Sequence, residues 1–191
     1  MAKTSTGPTD RQDLTDRQDL HEPQLAGGQS HACIFPISGN GVQSLKTVNP
    51  SAAGVAIGSL IMTRDGVLPI EFLALGERVV TRSGTRELRK ITALEVTGEM
   101  VRICPGALGH DRPEQALLLQ PGTMVHIRDW RAQALLGKPQ ALVPAERLID
   151  GEFITRERVG RKTVFTLEFE RAEIIYADGV ELGCGALRQR P

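Results

Sequence analysis

Short apolar runs separated by strong turn signals are the feature that most constrains this chain. Dipeptides that favour tight turns follow or divide such runs at Asp65-Gly66, Ser83-Gly84, Pro121-Gly122, Asp150-Gly151 and Asp178-Gly179. Asp-Gly is the strongest of these signals, because it suits the two-residue turn of a β-hairpin. Many short strands with turns about every ten residues are typical of a sandwich or a barrel. The sequence therefore predicts an all-β fold.

The individual strands can be placed from the same pattern. Residues 163–170 alternate cleanly, which puts Phe165, Leu167 and Phe169 on one face and predicts that they belong to the core. Residues 131–136 are the one plausible helical turn near the middle, with Gly137 as its stop. The other predicted strands are residues 59–63, 67–73, 75–84, 86–96, 99–104, 117–119, 124–127 and 173–177.

The first 50 residues differ from the rest of the chain. They contain the hexapeptide T-D-R-Q-D-L twice in tandem, at 9–14 and 15–20, within a polar stretch. Too little apolar surface is present there to offset the entropy of ordering, so we predict a disordered tail over 1–50. A β domain is expected over 51–185 and a short tail over 186–191. His31 and Cys33 lie in the first tail, and two ligands without partners make a poor zinc site.

Composition narrows the functional classes. Lysine plus arginine and aspartate plus glutamate number 23 each, so the net charge is zero and gives no support for a nucleic-acid or membrane partner. No apolar stretch is long enough for a spanning helix, and the N-terminus lacks the apolar core of a signal peptide. A cytoplasmic monomer with an unknown protein partner and no cofactor or metal is expected, with non-Sec export left open. Three cysteines without C-x-x-C spacing argue against a disulfide framework.

The stretch that begins at Met100 carries a set of residues at fixed spacing: Ile103, Gly106-Ala107-Leu108-Gly109, Arg112-Pro113, Leu117-Leu118, Pro121, Trp130-Arg131-Ala132, Leu135-Leu136 and Gly137. These positions match a segment similar to I-x-A-G-A-L-G…R-P…D-L-L-V-S-P-Q-H-R…W-R-A-x-L-L-F-G. The stretch therefore resembles the Hint domain, the Hedgehog/intein self-processing fold, and especially its bacterial Hint-2 subtype, which carries that segment. The family's histidine falls on Thr123.

Two further segments carry the same resemblance, which spans roughly residues 54–183. Near the start, matching positions are Gly58-Ser59, Ile61, Thr63, Asp65-Gly66, Pro69-Ile70-Glu71, Leu73, Gly76, Val79 and Thr81. Counting back from Gly58 places the family's nucleophilic cysteine at Gly54. Near the end, the family's R-H-E-x-x-x-A-D-G corresponds to residues 171–179, with Ala172 at the histidine position. The resemblance implies a Hint fold, a flat disk of long, bent β-hairpins with internal pseudo-symmetry.

The family's chemistry is self-cleavage or rearrangement of the backbone. The first residue of the domain attacks the carbonyl just before it, and a histidine on the central turn protonates the departing nitrogen. The family positions Gly54, Thr123 and Ala172 lack this chemistry. The missing groups therefore favour a domain that does not process itself and is retained as a structural or interaction module, and they favour a non-enzymatic role over an enzymatic one.

Two alternatives stay open from the sequence. One is a live self-cleaving domain with a displaced nucleophile, such as Cys33 or Ser59, or with His126 as a substitute acid. Ser59 is more often structural at such a position, and His126 is more often a satisfied strand histidine. Cys104 is expected to be a small buried hydrophobe and Cys184 a flexible, exposed thiol. The other alternative is a small β-barrel that binds a metabolite in a pocket with convergent polar groups.

Overall fold

The all-β prediction is confirmed. The computed structural model describes residues 52–187 and the backbone of Gln43–Thr47. Within these residues the strands are β1 (Gln43–Thr47), β2 (Val55–Ala56), β3 (Leu60–Thr63), β4 (Gly66–Pro69), β5 (Arg78–Thr81), β6 (Gly84–Glu87), β7 (Lys90–Ile103), β8 (Leu117–Leu119), β9 (Met124–Ile127), β10 (Ala141–Pro144), β11 (Ile154–Phe169), β12 (Glu173–Ala177) and β13 (Val180–Ala186). One α-helix, α1 (Trp130–Leu136), and two 3₁₀ turns, Ile70–Phe72 and Ala145–Leu148, complete the set.

A long antiparallel ribbon of β7 and β11 forms the spine of the sheet. Its register runs from Ile103 opposite Ile154 to Lys90 opposite Glu168, with one shift between Val159 and Lys162. The prediction of separate strands at 86–96 and 99–104 is therefore wrong. The strand continues through Gly98, which lies at the register shift and has a φ of 124°. A β-bulge of this kind bends a strand without ending it. The interruption between strands comes earlier, between β6 and β7, where the side chain of Leu88 is buried in the core.

Three hairpins follow the turn signals in the sequence. β3 pairs with β4 around Asp65-Gly66, β5 with β6 around Ser83-Gly84, and β12 with β13 around Asp178-Gly179. Gly66, Gly84 and Gly179 all have positive φ, which a side chain would disfavour. In the first two hairpins a strand threonine closes the turn, with Thr63 Oγ1 2.8 Å and Thr81 Oγ1 2.6 Å from the carbonyl oxygen three residues later.

The central Gln-Pro-Gly-Thr segment makes a corner between partners, and the two strands beside it do not pair with each other. β8 pairs with β7 and β2, whereas β9 pairs with β10 and β13. Hydrogen bonds to the start of the domain replace hairpin pairing, since Gly122 N–H donates to the Ala52 carbonyl at 3.0 Å. The turn thereby lies against the first residues of the β domain.

The core lies between these strands and agrees with the predicted alternation. Phe165, Leu167 and Phe169 are all buried, together with Ile61, Ile103, Leu119 and Ile175 among others. Val164, on the other face of β11, is also buried, in a second small cluster with Ala56, Val96 and Met100. The predicted helical turn is confirmed, because Asp129 caps α1 at Arg131 N–H and Gly137 ends it with φ 65°.

The domain boundaries can be compared with the sequence only in part. Within the predicted tail over 1–50, the structure describes only β1, which pairs in parallel with β7. The rest of that tail, with its hexapeptide copies, His31 and Cys33, lies outside the described residues. At the other end β13 continues to Ala186 opposite Phe169, one residue beyond the predicted boundary. None of the described helices is long and apolar enough to cross a membrane.

Candidate functional site

The first residue of the family-like segment meets the central turn directly. Gly54 N–H donates to Thr123 Oγ1 at 3.0 Å, and Thr123 Oγ1 donates back to the Gly54 carbonyl at 3.0 Å. Both residues are buried and they lie 69 positions apart in sequence. The fold thus brings together two of the three positions that the resemblance singles out.

The peptide bond before Gly54 is held by hydroxyl groups at both ends. Thr166 Oγ1 donates to the Ala53 carbonyl at 3.0 Å, while Thr123 accepts from the Gly54 N–H. The next carbonyl, that of Gly54, also accepts from Gln120 N–H at 2.9 Å. Every one of these partners is neutral, so the junction between Ala53 and Gly54 is fixed without a group that titrates near neutral pH.

The space beside Gly54 is filled by another residue. A Cβ built on Gly54 would lie 2.6 Å from Gln120 Oε1 and 3.3 Å from Val164 Cβ. Real Cβ atoms do not approach an oxygen so closely, and Gln120 is only 3% exposed. A side chain at position 54 therefore requires Gln120 to move within a packed interior.

Ala172, the third family position, lies in the exposed connection between β11 and β12. No hydrogen bond of the described residues joins it to Gly54 or Thr123. Its neighbour Glu173 is buried and accepts from Thr81 Oγ1 at 3.0 Å and from Arg86 Nε at 3.1 Å. Burial alone would raise the pKa of Glu173, but these donors and Ser83 outweigh it and hold that pKa below its ordinary value. The segment serves as an anchor for β12.

Ser59 is buried at the mouth of the β12–β13 turn. Its carbonyl accepts from Ile70 N–H at 2.8 Å, and its hydroxyl hydrogen-bonds the Asp178 carboxyl. Burial raises the pKa of Asp178 above its ordinary value, although the Leu60 N–H and Ser59 oppose the shift. Glu71, in the family-like Pro-Ile-Glu segment, accepts from Gly58 N–H at 2.9 Å. These contacts give Ser59 and Glu71 structural roles.

The two described cysteines are not exposed. Cys104 follows the end of β7 and is partly buried, in accord with its predicted place at a strand end. Cys184 lies in β13 opposite Glu173 and packs against the core. Burial raises the pKa of the Cys184 thiol to about 12. The prediction of a flexible, exposed thiol is wrong, because Gly183 and Gly185 continue the strand that the glycine-rich sequence suggested would end.

His126 belongs to a cluster around the buried Glu181 carboxylate at the far end of β9. Its Nδ1 lies 2.5 Å from Glu181 Oε2, and both side chains are less than a tenth exposed. Arg82 Nη1 and Arg128 Nη2 donate to the same carboxylate at 2.7 and 2.6 Å. Burial would raise the pKa of Glu181, but Arg82, His126 and Arg128 together hold it below its ordinary value. Met124 and His126 face away from the core that Val125 and Ile127 enter.

These features define an all-β domain in which the residues just before β2 lie against a central turn. A model of the Hint domain matches residues 54–183, so this protein belongs to the Hint domain family. No curated protein is significantly similar in sequence.

Two solved structures illustrate the likeness in fold. The solution structure of a bacterial intein-like domain from Clostridium thermocellum is 15% identical with a TM-score of 0.52, over 69% of this chain and 98% of that one. A crystal structure of the gp41-1 intein is 11% identical with a TM-score of 0.49, over 69% and 98% of the two chains. At such identities only the fold is carried over, and the first of these similarities supports it.

Sequence reasoning missed three contributors to these sites: Gln120, Thr166 and Glu181. Gln120 is part of the recognised turn, but nothing in the pattern indicates that its side chain fills the space at Gly54. Thr166 alternates with Phe165 and Leu167, which places it on the opposite face of β11. Glu181 follows Val180 in the last strand, where an isolated carboxylate gives no sign of its partners, Arg82 just after β5 and His126 in β9.

Proposed function

We propose that this Hint domain does not process its own backbone and serves instead as a structural or interaction module for a protein partner. The observation that carries the proposal is the reciprocal hydrogen bonding of Gly54 and Thr123 beside the Gln120 side chain. Glycine offers no nucleophile to attack the Ala53 carbonyl. The space that such a nucleophile needs is taken by an amide oxygen.

The proton donor is lacking for a separate reason. A departing amide nitrogen needs a positioned acid, whose loss typically lowers a rate by about two to four powers of ten. The Thr123 hydroxyl is far too weak an acid for that step near neutral pH, and here it accepts from the nitrogen that would depart. Losing both groups removes the pathway as well as its acceleration.

The other nucleophiles of the β domain do not favour a displaced mechanism. Ser59 is buried and engaged with Asp178. Cys184 has a pKa near 12, so its reactive thiolate is almost absent at neutral pH. Cys33 lies outside the described residues, and the experiment therefore includes it.

Intact-mass measurement of the purified full chain over several days tests the proposal. Cys33→Ala and Ser59→Ala variants are followed in parallel, with and without a small thiol to release any thioester. We expect an unchanged full-length mass in every sample. A fragment beginning near residue 54 would overturn the proposal. Cleavage of the natural chain that stops in Cys33→Ala or in Ser59→Ala would establish the displaced nucleophile instead.

A further inference from the structure

A cavity of about 500 Å³ opens at the end of β9 that is remote from Gly54. Leu108, Ile127 and Val180 form its apolar wall, and Arg112, Arg128 and Glu181 are among its polar lining residues. This volume lies within the range of small-molecule sites, which combine apolar walls with a few placed polar groups. The self-processing chemistry of the family assigns no role to it.

The charges around the cavity do not balance. The Glu181 carboxylate is bound by Arg82, Arg128 and His126. The other acidic lining residue, Asp129, is paired with Arg131 at 2.6 Å. Both negative charges are thus neutralised by bonded cations. Glu181 is bound by two guanidinium groups, so one positive charge beside it is left without a matching negative charge.

Arg112 adds a cation that has no acidic partner in the described part of the chain. Its Nε donates to the Gly109 carbonyl at 3.3 Å, and its stem packs 3.4 Å from the position of a Cβ on Gly179. The two Nη groups make no hydrogen bond within the described residues. A guanidinium presents these donors as a planar fork that matches a carboxylate.

The wall that carries Arg112 is fixed in place. Within residues 105–113, Leu108 N–H donates to the Arg112 carbonyl and Gly106 N–H to the Pro113 carbonyl, both at 2.9 Å. Arg131 ties the segment to α1 through a 2.9 Å hydrogen bond from Nη2 to the Ala107 carbonyl. A ligand that contacts Arg112 therefore meets a side chain whose backbone and Nε are already held, which limits the entropy lost on binding.

We propose that this cavity binds a small organic acid, with its carboxylate on the Arg112 guanidinium and its apolar body against Leu108, Ile127 and Val180. The surplus of positive charge selects the anion, and the apolar wall selects an organic body. The site is separate from the Gly54–Thr123 junction, so this binding does not depend on whether the domain processes itself.

Isothermal titration of the full chain with 3-phenylpropionate tests the proposal. Its neutral amide and inorganic phosphate are the matched ligands, since one keeps the apolar body and the other keeps the negative charge. We expect the acid to bind and each matched ligand to bind at least tenfold more weakly. Arg112→Gln is expected to lower the affinity for the acid by about tenfold or more, from loss of a charge-assisted contact. The affinity of Arg112→Lys for the acid should lie between those of the natural chain and Arg112→Gln, because lysine keeps the positive charge but lacks the planar pair of donors.

Arg158→Gln is the control variant, since Arg158 is an exposed cation of β11 outside the cavity lining. Its affinity should equal that of the natural chain, and unfolding curves of all variants establish that they are folded. Absence of acid binding at millimolar concentration would overturn the proposal. Equal affinity for the amide or for phosphate, or an Arg112→Gln variant that binds unchanged, would also overturn it.

Discussion

The two ends of β9 are joined to the rest of the domain by different interactions, neutral hydrogen bonds at one end and charged groups at the other. Before Met124, Thr123 joins Gly54 through neutral hydrogen bonds beside a tightly packed amide. After Val125, His126 and Arg128 surround a buried carboxylate from β13, next to an open cavity. The Gly54–Thr123 junction, where the sequence resemblance predicts the family's chemistry, is therefore packed and without charge, while the titratable groups gather a few residues further along. Stability should depend on pH at the second end only.

Removal of the Glu181 charge should have the largest effect. Glu181→Gln leaves three donors around a neutral amide. We expect the free energy of unfolding at pH 7 to fall by about 2–3 kcal/mol. This is less than the usual cost of breaking a fully buried pair, because both arginines are partly exposed. The folded-state pKa of Glu181 is lowered, so its contribution is present above the ordinary glutamate pKa and is lost as pH falls through the folded value. Urea unfolding at pH 7 and at pH 3 measures the loss of stability and its dependence on pH.

The control for this variant is Glu157→Gln. Glu157 pairs with Arg102 at 2.9 Å, but both side chains are more than a third exposed. We expect a much smaller loss in the free energy of unfolding than in Glu181→Gln, because exposed ion pairs contribute little to stability. Equal losses in the two variants, or a difference that does not shrink in acid, would contradict the contrast between the ends of β9.

Thr123→Val tests the neutral end. It keeps the shape of the side chain but leaves the buried Gly54 N–H without its acceptor, which should cost about 1–2 kcal/mol. Thr123→Ser retains the hydroxyl and should recover most of that loss. The loss should be the same at pH 7 and pH 5, measured by urea unfolding, because no group at this junction titrates there. A marked pH dependence would show that the junction is not neutral.

Gly54→Ala should lower the free energy of unfolding by a smaller amount, about 1 kcal/mol, because the end of the Gln120 side chain can shift to make room for the methyl group. The double variant Gly54→Ala/Gln120→Ala should lose less than the sum of the two single variants, since the added methyl occupies space that the amide leaves. A double-mutant cycle by chemical unfolding measures this coupling. Strict additivity would contradict the assignment of Gln120 as the group that fills this position.

Asp178→Asn should give the smallest effect, a slight gain in thermal stability at pH 7. Burial raises the pKa of Asp178, so its ionised form is disfavoured in the folded protein and its cost appears as pH rises through the folded value. Asparagine keeps the acceptor for Leu60 N–H and tolerates the φ of 48° at this turn. The gain should disappear at pH 3 in a thermal melt. A loss at pH 7 would show that the charge itself is stabilising.

The local features of the fold could be predicted from the sequence. Asp65-Gly66 and Asp178-Gly179 specify hairpins because backbone conformation is decided by neighbouring residues. The alternation around Phe165 specifies a buried face because side chains along a strand point to opposite sides. The motif spacing also assigned the family, over the residues that its model matches. The continuity of β7 could not be predicted, because only pairing with β11 carries it past Gly98.

What the sequence by itself determined is the set of short elements and the family to which the domain belongs, and its resemblance to that family places glycine at position 54. The tertiary structure alone decided which distant residues meet. Gln120 fills the space at Gly54, and Arg82 reaches Glu181 across 99 positions of sequence. Hydrogen bonds and close packing act over a few ångströms of space, and no local pattern in the chain records which neighbours folding will supply.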